Sequence, residues 1–311
     1  MREYQCNLVI VHTPGLQALS DFTTIKSLIA ARAPEIEVFI LANGMRHSVT
    51  RKWAASRRTL VFSPVPIERF SPLRGKVYAC RRLGKLEEIR RLAAAGLPVP
   101  DTVLVEPDTR LDPQGWGPFS VVKPIAARQG EGVRLRRTID VGWTDPWSWP
   151  ADDPRFGQAI LAQRFIDTGP FARSHRVLVV FGRAVFSIVS RQLAARPAID
   201  RDARQSVDLP IASNAGERSI ELNFEPDVID LCCRTARAFP DIPVLGVDVV
   251  REAATGDLYI LEVNAAGYTW QLSSDYGEVL KKKHNLDLAA QFGALDIIAD
   301  ALIEVTRREG T

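Results

Sequence analysis

Two carboxylates interrupt runs that otherwise read as buried strands. Asp248 breaks Gly246-Val247-Asp248-Val249-Val250, and Glu262 breaks Tyr259-Ile260-Leu261-Glu262-Val263-Asn264. Alternate side chains of a strand share a face, so Glu262 and Asn264 project together. The stretch Ala253-Ala254-Thr255-Gly256-Asp257 reads as a hairpin connection that sets Asp248 against them. A buried carboxylate pair is costly unless a cation neutralises it. Two carboxylates and an amide oxygen form a hard-oxygen set suited to Mg²⁺, which keeps waters and grips phosphates. The alternative, ordinary alternation on an exposed strand, fits poorly with the Val, Ile and Leu on both sides.

Lysine is scarce: of 40 basic residues only eight are Lys. One of them, Lys123, lies inside the apolar run Ser120-Val121-Val122-Lys123-Pro124. It is followed by the turn Arg128-Gln129-Gly130-Glu131-Gly132-Val133. Two glycines one residue apart let backbone N–H groups approach an anion. A strand lysine beside such a loop can hold a nucleotide phosphate, although a plain hairpin has the same pattern. Lys85 opens a helix expected over 85–95, where a cation opposes the helix dipole. That misfit points to an anionic partner or to a solvated side chain.

The rest of the chain reads as three units: residues 1–80, 81–165 and 166–311. In the first, strands at Leu8–Val11, Val38–Leu41 and Thr59–Phe62 alternate with helices expected up to Arg32 and over Arg46–Arg58. That order favours a parallel sheet. The 85–95 helix stops at Gly96 with Pro98 behind it, and a strand is expected over Val99–Val105. Further on, strands pair as hairpins: Phe119–Pro124 with Gly132–Arg136, and Val177–Phe181 with Ala184–Val189 around Gly182-Arg183. The expected class is therefore mixed α/β and α+β. The unit at 81–165 carries the Gly-rich loop, and that at 166–311 carries the carboxylates. Helices are expected over Asp227–Phe239 and Leu286–Val305. The stretch 142–154, with Trp143, Trp147 and Trp149, reads as a long loop packed onto the surface, or else as an aromatic substrate platform. Lys281-Lys282-Lys283 reads as a solvated face.

A net charge of +3 gives no reason to expect nucleic acid. No apolar run reaches the roughly 20 residues that span a bilayer, and the N-terminus lacks a signal-peptide pattern. No membrane association and a cytoplasmic location are expected. Cys6, Cys80, Cys232 and Cys233 lack metal-ligand spacing.

Taken together and in order, these residues resemble the ATP-grasp superfamily. The branch they most resemble contains glutathione synthetase and the ribosomal-protein glutamate ligases. The resemblance runs from about Lys85 to Gly267. Lys85 through Ala95-Gly96-Leu97-Pro98-Val99-Pro100 is similar to the family's first lysine helix and its exit. Lys123 is similar to the second lysine, and Gln129, Gly130 and Gly132 to the mobile phosphate-covering loop. Ile160-Leu161-Ala162-Gln163-Arg164-Phe165-Ile166 is similar to the hinge whose backbone pairs with adenine. Asp167 is the candidate for the ribose hydroxyls. Arg176 and Arg191 sit where the family places arginines near substrate and phosphates, and Asp248, Glu262 and Asn264 match its metal ligands. After Asn264 the chain departs from the family's small residues, Pro and Gly. It reads Ala265-Ala266-Gly267-Tyr268-Thr269-Trp270, which makes Tyr268 and Trp270 candidates for an acceptor pocket.

The resemblance implies an ATP-grasp fold in which two antiparallel subdomains clamp ATP and Mg²⁺, or Mn²⁺ in its place. It also implies an ATP-dependent ligase that activates a carboxylate as an acylphosphate and joins it to an amine, each a small molecule, amino acid or peptide. A small-molecule kinase and a non-catalytic nucleotide-binding module are the alternatives on the same scaffold. The family commonly dimerises, so a homodimer is an expectation that these residues do not themselves specify.

Overall fold

The computed structural model describes residues 4–44, 57–67, 75–126, 130–197, 206–211, 216–266 and 269–310. Gln129, Tyr268 and most of the helix expected over 46–58 lie outside these residues.

Three sheets are present. The first joins β1 (Cys6–His12), β2 (Ile36–Ala42), β3 (Arg58–Ser63) and β4 (Lys76–Ala79) in the order β2-β1-β3-β4, all parallel. All seven residues of β1 are buried, as expected for a parallel strand covered on both faces. Helix α1 (Leu19–Arg32) covers one face through Phe22, Ile25 and Ile29, at helical spacing. Strand β4 was not anticipated: only Tyr78 in it is buried, so it carries little apolar signal.

Helix α2 (Lys85–Ala94) leads into the second sheet, and Gly96 beyond it adopts the expected left-handed φ of 67°. This sheet joins β5 (Thr102–Leu104), β6 (Phe119–Pro124), β7 (Arg134–Arg137), β8 (Ile160–Arg164) and β11 (Asp208–Pro210) in the order β11-β7-β6-β8-β5. Every pairing in it is antiparallel. The strand expected over 99–105 shortens to β5, because Pro98 and Pro100 offer no N–H to a ladder. A short helix, α3 (Pro113–Trp116), precedes β6.

The third sheet joins β9 (Arg173–Val180), β10 (Arg183–Gln192), β12 (Arg218–Leu222), β13 (Val244–Arg251) and β14 (Leu258–Asn264), again antiparallel, in the order β12-β10-β9-β13-β14. The β9–β10 turn is Phe181-Gly182, one residue earlier than expected. Both residues have positive φ, 46° and 80°, as a type I′ turn requires. The Phe181 ring packs 5.9 Å from Phe62 and 5.2 Å from Tyr78, contacts that offset its left-handed backbone.

Helix α4 (Pro226–Thr235) covers β9 and β10. The helix expected over 286–305 begins only at Ala294, and a separate helix precedes it. Helix α5 (Asp275–His284) ends where Asn285 turns left-handed, and α6 (Ala294–Glu309) starts after Gly293, whose φ is 73°. Helix α6 packs on α1, β1, β3 and β10, so one apolar core joins the first and third sheets. Ile298, Ala299 and Leu302 are fully buried there. Trp270 belongs to the same core: it is 1% exposed and stacks on Phe22, and its indole N–H donates to Asp21 at 2.9 Å. That burial corrects its expected place on an open acceptor pocket. Among the described residues no helix is long and apolar enough to cross a membrane, and all four cysteines are free thiols.

Candidate functional site

Hairpin β13–β14 sets Asp248 directly opposite Glu262 and Gly246 opposite Asn264. Strand β9 on the other side of β13 places Arg176 opposite Asp248. Opposed residues of an antiparallel pair share a face, so Arg176, Asp248, Glu262 and Asn264 project together. Arg176 Nε and Nη2 each donate to an Asp248 carboxylate oxygen at 2.7 Å, and Asn264 Nδ2 donates to Asp248 Oδ2 at 3.1 Å. The Asp248 charge, with Glu262 and Tyr276 nearby, pushes the Arg176 guanidinium further toward its charged form.

Glu262 makes no hydrogen bond or ion pair among the described residues. Its tip opens to solvent, yet the protein crowding it raises its carboxyl above the usual range, and the like charge of Asp248 adds to that. Two lysines offset this. Burial lowers both, Lys123 to about 8, and Glu262 draws each back toward its charged form. Lys123 Nζ donates to Gln163 Oε1 at 3.0 Å, and Gln163 Nε2 donates to Thr102 Oγ1 at 2.9 Å. Lys85 Nζ reaches the Pro124 carbonyl at 3.4 Å. The second sheet thus presents Lys123 toward the carboxylates of the third, and α2 brings Lys85 to the same place.

No group of three His, Cys, Asp or Glu side chains gathers around one point among the described residues. The candidate donor set is instead two carboxylates and one amide. Its hard oxygens fit a divalent cation such as Mg²⁺, and Glu262, with no hydrogen bond or ion pair among the described residues, is free to take part.

The remaining expected residues divide. Gly130 and Gly132 adopt positive φ, 81° and 66°. A Cβ on Gly132 would lie 2.9 Å from Pro124 Cγ, so the turn passes too close to β6 for a side chain. The Gln163 side chain supports Lys123. Arg164 faces away, 3.5 Å from Glu252 and over the Tyr259 ring. Phe165 lies under the Arg196 guanidinium, Ile166 is buried, and Asp167 pairs with Arg196 while accepting from the Gly169 N–H. Arg191 is not brought to the site: it opposes Arg173 and Ser219, which places it on the other face of the sheet from Arg176. There it is exposed, 4.9 Å from the Phe171 ring centre.

Two residues join the constellation that sequence reasoning missed. Glu88 is 8% exposed, accepts the Val263 N–H, and is raised to about 8, chiefly by burial and further by Glu262. It lies three residues after Lys85, one helical turn away, and that spacing was a usable signal. Arg218 opposes Gln192, in register with the Arg176 face, and donates to the Tyr276 hydroxyl at 3.3 Å. Nothing local in the sequence marks it.

No family model and no curated protein matches this sequence. Solved structures do match. The ATP-grasp ligase PsnB complexed with minimal precursor, Mg and ADP superposes with a TM-score of 0.51 at 17% identity, over 98% of this chain and 99% of that one. The same ligase complexed with precursor peptide PsnA2 and AMPPNP gives 0.50 at 18%, over 98% and 100%. Likeness of this extent at low identity is likeness of fold: the chain has the ATP-grasp fold.

Proposed function

We propose that this chain is an ATP-dependent ligase that joins a carboxylate to an amine. The observation that carries the reading is the convergence of Lys85, Lys123 and Arg176 on Asp248, Glu262 and Asn264, between two antiparallel sheets. Half-buried cations facing a carboxylate that has no partner among the described residues suit a ligand that brings both phosphate and a divalent metal. PsnB, a ligase of the same fold, has been captured with ADP and Mg.

In this reading a substrate carboxylate oxygen attacks the γ-phosphorus of ATP, and the bond from that phosphorus to the ADP oxygen breaks. The amine then attacks the acyl carbon of the acylphosphate. Phosphate departs with the C–O bonding pair, and the amine loses a proton. Such chemistry asks for positioning and charge neutralisation more than for a protein nucleophile. Lys85 and Lys123 neutralise phosphate oxygens, with Gln163 holding the Lys123 ammonium. Asp248, Glu262 and Asn264 hold Mg²⁺, which when bound neutralises phosphate charge. Arg176 fixes the orientation of Asp248. Gly130 and Gly132 supply backbone N–H groups above the phosphates, and closure of their turn excludes water from the acylphosphate. The carboxylate and amine are amino acids, peptides or comparable small molecules.

Calorimetric titration with ADP and AMPPNP, with and without Mg²⁺, tests the site. Carboxylate–amine pairs are then screened for release of both ADP and phosphate. Mg²⁺-dependent binding followed by phosphate release with a joined product supports the ligase. Phosphate retained on one substrate identifies a kinase, and binding without turnover a nucleotide-binding module.

A further inference from the structure

Adjacent residues of β6 point to opposite faces, so Val122 lies behind the sheet that Lys123 fronts. Behind it is a cavity of about 260 Å³. Val122 and Ile160 form its floor, Val105 and Val141 its sides, and Trp143 and Trp149 of the 142–154 loop wall it. The volume exceeds the roughly 150 Å³ of an apolar cavity that holds benzene and approaches the roughly 300 Å³ of small ligand pockets.

The polar groups around this apolar space are unbalanced. Arg136 Nε and Trp149 Nε1, on two lining residues, are buried and meet no acceptor among the described residues. Each unmet buried donor costs about 1–3 kcal/mol. Arg155 lies 3.5 Å from the Trp149 ring centre and is held by Asp153 at 2.6–2.8 Å. Arg134 and Arg136 share Asp208. Three guanidiniums thus face two aspartates, and a third acid, Glu106, stands exposed at the rim, so the formal charges around the cavity balance.

We propose that this cavity binds a small aryl or branched-alkyl carboxylate. Its apolar part rests on Val122, Ile160 and the Trp149 ring, and its oxygens accept from Arg136 and Trp149. The apolar floor calls for the hydrocarbon; the two orphaned donors call for the acceptor. Gly132 also lines the cavity, so an occupant touches the Gly-rich turn from behind. The proposal does not depend on the ligase reading.

The test is calorimetry on the full chain with phenylacetate and 4-methylpentanoate, and with toluene as a probe lacking the carboxylate. Ala159→Phe fills the cavity from an exposed lining position, and Trp149→Phe keeps an aromatic, though smaller, ring and deletes the N–H. The expected result is saturable binding of both acids and weaker binding of toluene. Ala159→Phe should abolish binding, and Trp149→Phe should weaken phenylacetate about five- to tenfold, the worth of one hydrogen bond. No binding to the unmodified chain at millimolar acid, or undiminished binding in Ala159→Phe, overturns the proposal and leaves a cavity filled by water. Should Ala159→Phe fail to fold, undiminished affinity in Trp149→Phe overturns it instead. AMPPNP binding measured on the same samples reports separately on the nucleotide site.

Discussion

Arg176 and Asp248 are locked by two hydrogen bonds of 2.7 Å across the neighbouring strands β9 and β13. A guanidinium fork on a carboxylate fixes direction as well as charge. Asp248 also accepts from Asn264, so Arg176 orients two of the three candidate metal donors. Arg176→Lys keeps the charge and loses the fork. We expect a loss of about 1–3 kcal/mol in urea unfolding, less than for a fully buried pair because a third of the Arg176 side chain stays in solvent. Stability equal to that of the unmodified chain would show that charge alone suffices.

Glu262 has no protein partner among the described residues, so its replacement breaks no contact. Glu262→Gln removes one of two opposed carboxylates. The Mg²⁺-dependent part of ADP affinity should fall about tenfold or more. The melting temperature without nucleotide should hold or rise, since repulsion from Asp248 is relieved. An unchanged Mg²⁺ dependence rejects the metal-ligand role.

Lys123 donates to Gln163 within the second sheet, and the Glu262 charge of the third sheet favours its charged form. Lys123→Ala should weaken AMPPNP about ten- to a hundredfold, the range of a lost charge-assisted hydrogen bond, and should affect substrate binding less. Equal nucleotide affinity sinks the phosphate-binding role.

Glu309, at the end of α6, is held by the Lys76 ammonium, the Tyr78 hydroxyl and Arg308, which take its carboxyl from 4.5 to about 2. A carboxyl lowered by folding contributes stability above its unfolded value, and that stability is lost as pH falls through its folded value. Glu309→Gln should therefore cost on the order of 1 kcal/mol at pH 7, reduced by the solvent exposure of Lys76. The gap in melting temperature between the two chains should close between about pH 4.5 and 2. A gap that persists at pH 2 would assign the effect to packing.

The sequence by itself determined the elements whose signal is local. Val247 and Val249 around Asp248, and Ile260, Leu261 and Val263 around Glu262, mark buried strands carrying charge, and the short Gly256 turn between them leaves a hairpin as the simplest connection. Lysine scarcity singled out Lys85 and Lys123, and Gly96 marked its helix end. Tertiary structure decided what depends on register and on distant surfaces. Arg191 carries the same charge as Arg176, but the pairing of β9 with β10 sets it opposite Arg173, an odd number of positions along β9 from Arg176, which turns Arg191 to the other face. Arg218 reaches the Arg176 face only through the pairing of β12 with β10. Trp270 looked available beside Asn264, yet Phe22 and Asp21, some 250 residues earlier, draw it into the core. A strand's alternation is written in neighbouring residues, whereas which row meets which, and which side chain is covered, is settled by burial of surfaces remote in the chain.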